Sequence, residues 1–317
     1  MNDEELRKKY RNVCEAPSGS GFRVERMPDF FADSEVDDCA PHVHTFYEIL
    51  WFQEGTGCHT VDFTEYEVKP NTIFFISPGQ IHHFDKREGY RGVAIKMCTD
   101  FMQEEEGQRT LQLKYQVFHS LNSAPLFRLP DDTARTVYPY VEAMEEESAH
   151  SREYGHQEVL HALLRIFLVM TERACLPVQP VQQDRMNASR TLFLNFRKAL
   201  EQHYTRLHGV QDYAELLHVS VRTLNKCVNE NAMKSPLTFI NDRVMLEAKR
   251  LVRYSDLLIK EIATDLGYDD PSYFVKFFKR QTGYLPVEFR NLAEVTHCPL
   301  PEAVALNSSG VQCQTCE

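Results

Sequence analysis

The segment between Val210 and about Leu292 contains itself twice, and that repeat restricts the fold more than any other feature of the chain. Tyr213-Ala-Glu-Leu-Leu-His-Val-Ser-Val-Arg-Thr-Leu224 aligns with Ile262-Ala-Thr-Asp-Leu-Gly-Tyr-Asp-Asp-Pro-Ser-Tyr-Phe274. Ala214 and Leu217 fall 49 residues before Ala263 and Leu266; one inserted residue then brings Leu224 opposite Phe274 and Lys226 opposite Lys276. Each copy reads as a short helix with a small alanine, a tight turn, an N-cap and a second helix. That is the pattern of a helix-turn-helix unit, in which the alanine lets two helices cross closely and the turn aims the second one outward. Ser220 is placed to cap the second helix of the first copy, and Asp270-Pro271 supplies a cap and an N1 proline in the second. Ser235-Pro236 starts a helix between the copies that runs to about Arg253, roughly 27 Å at ~1.5 Å per residue. A strut of that length can hold two outward helices near the ~34 Å that separates successive major-groove faces on one side of DNA.

Charge singles out the same stretch. The 317-residue chain carries −11 overall, and an acidic surface everywhere would be repelled by phosphate. Residues 190–293 nevertheless hold 16 basic and 12 acidic side chains, a net +4, against −15 for the remainder. Export is not expected, because Met1 to Arg11 is charged and lacks the apolar centre of a signal peptide. No membrane association is expected either, since the most apolar run, Ala162 to Met170, is short and carries Arg165. Nine scattered cysteines are an odd number and read as reduced thiols in a cytoplasm.

Upstream of the repeat the pattern is β. Tyr47-Glu-Ile-Leu-Trp-Phe52, Thr60-Val-Asp-Phe63, Thr72-Ile-Phe-Phe-Ile76 and Gly92-Val-Ala-Ile95 are separated by turn signals every ten residues or so, which suggests a sandwich or small barrel. After residue 104 the periodicity turns helical. Val159, Leu160, Leu163, Ile166, Phe167 and Met170 form one apolar stripe, which serves equally as core or as a dimer seam. Two prolines and three glutamines in Leu176-Pro-Val-Gln-Pro-Val-Gln-Gln-Asp184 mark a linker. The expected organisation is α+β with two domains: an arm over 1–20, a cupin-like barrel over 21–103, a helical dimerisation and interdomain region over 104–175, a linker over 176–188, an all-α double helix-turn-helix unit over 189–293, and a loose tail over 294–317.

Leu266-Gly-Tyr-Asp-Asp-Pro-Ser-Tyr-Phe-Val-Lys-Phe-Phe-Lys-Arg-Gln-Thr-Gly-Tyr-Leu-Pro286, closing on Val287-Glu-Phe-Arg290, resembles the signature of the AraC/XylS family of bacterial transcription regulators. The match runs from about Val210 to Arg290. The resemblance implies a sequence-specific regulator of transcription rather than an enzyme. It would set both recognition helices into consecutive major-groove segments of double-stranded DNA, act as a homodimer with RNA polymerase, and bind a small-molecule effector, a sugar among the candidates, in an N-terminal cupin-like barrel. The first unit departs from the pattern. His218 occupies its turn-glycine position, and its recognition helix ends Cys227-Val-Asn-Glu230 instead of aromatic and basic, so it is expected to be the weaker reader.

Helical spacing assigns the DNA-facing side chains. Phe274, Phe277 and Phe278 point inward, leaving Ser272, Tyr273 and Lys276 outward; Leu224 and Val228 point inward, leaving Arg222, Asn225 and Lys226 outward. Arginine and lysine donate to guanine and asparagine pairs with adenine, whereas Lys279, Arg280 and Lys249 read as phosphate contacts or surface charge.

The barrel carries a second cluster. His42-Val-His44-Thr-Phe-Tyr-Glu48 and Ser77-Pro-Gly-Gln-Ile-His82 resemble the two cupin motifs, although Val36, Asn71 and Lys86 stand where cupins favour Gly, Gly and Asn. His42, His44, Glu48 and His82 are therefore the expected effector contacts. The alternative is a cupin metalloenzyme, or a metal-sensing regulator, in which the same four hold a divalent metal as cofactor. Strand alternation puts Trp51 on the face opposite Glu48 and assigns it to core. Cys313-x-x-Cys316, without a second pair, reads as tail thiols.

Overall fold

The computed structural model describes residues 21–27, 37–86, 88–102, 125–175 and 185–292, with short pieces at 6, 8–10, 12–14, 16–17, 30 and 118. The proposed tail, its Cys313 and Cys316, Val36 and most of the arm lie outside the described residues.

Three sheets form the N-terminal half among the described residues. Strands β1 (Val13–Cys14) and β3 (Val43–His44) make a small parallel pair. The larger sheet joins β2 (Phe22–Arg26), β4 (Tyr47–Glu54), β7 (Thr72–Ile76), β9 (Arg91–Met97) and β10 (Leu126–Arg128) in the order β10-β7-β4-β9-β2. The third joins β5 (Gly57–Val61), β6 (Thr64–Val68) and β8 (His82–Phe84) in the order β6-β5-β8. Alternation along β4 divides its side chains between two cores. Leu50 and Phe52 point into the barrel and meet Phe74, Val61 and Phe84. Ile49 and Trp51 point outward and meet helices α1 (Asp131–Ser148) and α2 (His156–Cys175). Trp51 is buried against Tyr138 and Phe167, in keeping with a core role.

Two boundaries differ from the sequence expectation. The region over 104–175 is not helical throughout, because β10 adds an edge strand to the larger sheet. Pro125 and Pro130 bracket that stretch and oppose helix; the Pro125 carbonyl accepts from the Phe75 amide at 2.9 Å, and Phe127 packs on Phe75. Helix α3 (Arg185–His203) also begins inside the segment assigned to the linker, whose residues 176–184 lie outside the described part.

The apolar stripe of α2 turns out to be two stripes. Leu160 and Phe167 are fully buried beneath the sheet, together with Leu164 and Leu168. Val159 and Ile166 remain exposed, on the same helical face as the half-buried Leu163 and Met170.

The C-terminal half repeats element by element. Helices α4 (Val210–Leu216) and α5 (Val221–Ala232) form the first unit, α6 (Pro236–Tyr254) joins the units, α7 (Ile259–Asp265) and α8 (Pro271–Thr282) form the second, and α9 (Pro286–Arg290) closes the domain. The anticipated caps are present. Ser220 Oγ accepts from the Thr223 amide at 3.0 Å, Ser235 Oγ from Thr238 at 3.1 Å, and the Asp270 carboxylate from Ser272 at 2.8 Å.

The turns of the two units share one backbone conformation on different residues. His218 has φ 54° and Gly267 has φ 78°, both left-handed. A Cβ on Gly267 would lie 2.2 Å from the Thr205 carbonyl oxygen, so the second unit needs glycine for space as well as for conformation. We expect Gly267→Ala to lower the unfolding free energy by roughly 2 kcal/mol or more. His218→Gly should change it by less than about 1 kcal/mol. Urea unfolding of the two variants beside the wild-type chain measures both.

Candidate functional site

The recognition helices α5 and α8 bury one stripe each. Leu224, Cys227 and Val228 are buried on α5, as are Phe274, Phe277 and Phe278 on α8. Arg222, Asn225 and Lys226 are exposed on the first helix, and Ser272, Tyr273, Lys276, Lys279 and Arg280 on the second. Every outward side chain expected from the spacing is thus on the solvent side.

The two faces are not equally available. On α5 the Asn225 amide donates to the Val221 carbonyl at 2.9 Å, and Lys226 lies 3.8 Å from Glu230. Helix α8 carries Lys276, Lys279 and Arg280 and no carboxylate along its length. Ser272 and Tyr273 lie exposed in its first turn. Lys249, read from sequence as a phosphate or surface charge, is elsewhere: it is half-buried on α6 with its ammonium 4.9 Å over the Phe63 ring of the barrel. Its helical position faces the domain boundary, which the linear spacing does not reveal.

That boundary is held by charge. Arg250 of α6 reaches the β5–β6 turn, donating from Nε to Asp62 Oδ1 at 2.6 Å and from Nη2 to Oδ2 at 2.9 Å. Asp62 also accepts from Gln80 at 3.1 Å. Glu247 accepts from Arg250, from Arg243 and, at 2.7 Å, from the hydroxyl of Tyr10 in the N-terminal arm. Burial alone would raise the Glu247 carboxyl, yet Arg243 and Arg250 beside it hold it below its ordinary range. Leu6 and Tyr10, with Val43 and Ile81 of the barrel, belong to the same apolar core as the helical domain. Two cavities open along this boundary. One of about 220 Å³ has Asp62, Gln80, Arg243 and Lys249 among its walls; one of about 330 Å³ includes Tyr10, His42, Arg253 and Arg290.

Inside the barrel the expected residues converge. His42 and His82 face each other across a β-bridge, with main-chain hydrogen bonds of 3.1 and 3.0 Å in the two directions. Glu48 Oε2 lies 3.3 Å from His44 Nε2 and 3.9 Å from His82 Nε2. All four side chains are buried, and His42 reaches the wall of the second boundary cavity. A fifth member, His59 of β5, escaped sequence reasoning; its Nε2 is 3.0 Å from His82 Nδ1. The available signal was alternation, since His59 and Val61 share the inward face of β5. Asn71 adopts φ 63°, so it supplies the left-handed turn for which cupins use glycine.

Burial pushes His42 down to about 4 and holds His59 and His82 well below the usual imidazole range. Burial would raise the Glu48 carboxyl, but the His44 imidazole and the Lys96 ammonium outweigh it, and the group stays below its ordinary value. Near neutral pH His42, His59 and His82 are therefore neutral and Glu48 is ionised. Such a set can ligate a cation or accept hydrogen bonds from a polar molecule.

A barrel of this kind joined to a doubled helix-turn-helix defines the class: transcription regulators that couple a ligand-binding domain to a DNA-binding one. The family described as "AraC-like ligand binding domain" matches residues 30–172, and that described as "Helix-turn-helix domain" matches residues 213–292. The chain belongs to the AraC family and is a sequence-specific DNA-binding transcription regulator with an N-terminal effector domain. The transcriptional activator RhaS of Enterobacter sp. (strain 638) is 23% identical over 252 residues, spanning 78% of this chain and 86% of that protein. RhaR of the same strain is 22% identical over 285 residues, spanning 84% and 96%. Among solved structures, ToxT from Vibrio cholerae is 15% identical at a TM-score of 0.39, spanning 85% and 97%, a likeness too remote to argue from. No helix among the described residues is long and apolar enough to cross a membrane.

The boundary contact is open to a direct measurement. Asn tolerates the left-handed φ of 56° at position 62 but cannot offer Arg250 a charge. Asp62→Asn should lower stability by about 2–4 kcal/mol, because it leaves a buried guanidinium short of its partner. Chemical unfolding measures the loss.

Proposed function

We propose that the chain acts in the cytoplasm as a homodimer that reads an operator, answers to a ligand in its barrel and works with RNA polymerase. Arg222, Asn225, Lys226, Ser272, Tyr273 and Lys276 face base edges in this reading; Lys279 and Arg280 take phosphates. The observation that carries it is the duplicated geometry of α5 and α8: in both, the apolar stripe is buried and the polar face is exposed. The self-bonded Asn225 and the acidic neighbour of Lys226 support α5 as the weaker reader. For the dimer, the second stripe of α2 (Val159, Leu163, Ile166 and Met170) offers an apolar seam.

His42, His44, Glu48 and His82 hold the barrel's ligand in this reading. Its signal would leave by the β5–β6 turn, where Asp62 grips Arg250 on the helix that spaces the two reading units. A ligand that binds one docking arrangement more tightly than another shifts the balance between them, and with it the half-sites the dimer can span.

Selection of a site from random duplex DNA with the full chain, followed by titrations at several salt concentrations, tests the reading. Lys276→Ala should weaken the selected site about 5- to 150-fold, as befits one lost base contact, with a smaller loss on unrelated duplex. Lys279→Ala should weaken both alike and reduce the salt slope by about one. Equal losses from both variants on every sequence, or no selected site at all, would overturn it.

A further inference from the structure

The cluster inside the barrel contains polar atoms that no hydrogen bond accounts for. His44 Nε2, Glu48 Oε2 and His82 Nε2 are all buried and unpaired, and these three atoms lie within 4.8 Å of one another. The outer hydrogen bonds decide what each ring presents inward. His44 Nδ1 is 2.7 Å from the Phe46 carbonyl oxygen, which can only accept, so Nδ1 bears the proton. His44 Nε2 then faces the Glu48 carboxylate, 3.3 Å away. His82 Nδ1 is engaged by His59, which leaves its Nε2 facing the same carboxylate. Two imidazole nitrogens and a carboxylate oxygen thus converge within 4.8 Å of one another, the donor set of a cation site. Lys96, which pairs with Glu48 across the strands, sends its ammonium to Glu25 at 2.6 Å.

Spacing points to the ligand. Donor atoms that surround one ion at ~2.1 Å stand roughly 3–3.5 Å apart, close to the 3.3 and 3.9 Å found here. Neither boundary cavity is lined by His44, Glu48 or His82.

We propose that the barrel binds one divalent transition-metal ion through His44 Nε2, His82 Nε2 and the Glu48 carboxylate, with His59 orienting His82. This inference deepens the reading of the barrel as a ligand domain and rests on it. Two imidazoles and a carboxylate suit zinc, manganese or iron(II) and leave coordination positions open. The hydrogen bond from His44 Nδ1 to the Phe46 carbonyl and the contact of His59 with His82 are the kind of outer partners that fix the tautomer of metal-ligating histidines.

The test uses the full chain carrying Cys313→Ser and Cys316→Ser, so that tail thiols contribute nothing. It is stripped with chelator, dialysed separately against zinc, manganese and anaerobic iron(II), desalted, and analysed for metal by mass spectrometry. We expect about one ion of at least one metal per chain, lost in both Glu48→Gln and His44→Ala, and a melting temperature that metal raises only in the parent chain. His59→Gln should keep the site but weaken it about 10- to 100-fold. Metal below about a fifth of an ion per chain under all three conditions overturns the proposal, as does full retention by Glu48→Gln. Should either variant fail to fold, the absorption spectrum of the cobalt(II)-loaded parent decides. Nitrogen and oxygen ligation upholds the site, and a thiolate charge-transfer band overturns it. A chain that selects an operator but takes no metal defeats this inference alone; one that takes metal but selects no DNA defeats only the DNA reading.

Discussion

Helix Pro236–Tyr254 is the member on which both halves of the molecule depend, and its buried charges are the reason. One side of it fills the helical core with Phe239, Ile240, Val244, Ala248 and Leu251. Another presents Arg243, Glu247 and Arg250, all buried, to the barrel and the arm. Charges taken out of water must be paired or the fold suffers by several kcal/mol. Here each is paired: Arg250 with Asp62, Glu247 with both arginines and Tyr10, and Arg243 with Glu201 at 2.9 Å. A helix that sets the spacing of two reading units is thereby also the surface that the barrel grips.

The doubled unit shows how one backbone plan tolerates two sequences. The left-handed turn is filled by His218 in the first copy and Gly267 in the second, and the left-handed helix ends by Met233 and Gly283. Glycine is forced only where a neighbouring carbonyl crowds the turn, at Gly267. The surfaces have diverged further than the cores. The second recognition helix keeps three cations and an exposed tyrosine, while the first mixes charge signs.

Much of this was legible in sequence because it rests on local rules. Helical spacing sorted Leu224, Val228, Phe274, Phe277 and Phe278 inward from their polar neighbours, and the caps at Ser220, Ser235 and Asp270 followed from residue type and position. Strand alternation separated Glu48 from Trp51. What stayed hidden depends on contacts distant in sequence. Lys249 looked like surface charge because nothing local says that Phe63, far back in the barrel, covers it. Asp62 and Arg250 sit 188 residues apart, and His59 joins His82 from a strand that carries no motif. The strand Leu126–Arg128 is too short for its alternation to register beside the helices that follow.

The position of Trp51 gives the molecule a built-in optical bias. It is the one indole in 317 residues, and it is sealed between the larger sheet and helices Asp131–Ser148 and His156–Cys175. The DNA-reading half contains none. Indole emission therefore watches the barrel half alone and is blind to local rearrangement of the recognition helices. Any change in that light when operator is added would have to have travelled across the domain boundary, so a single fluorophore placed by the packing of one strand doubles as a native gauge of communication between the two halves.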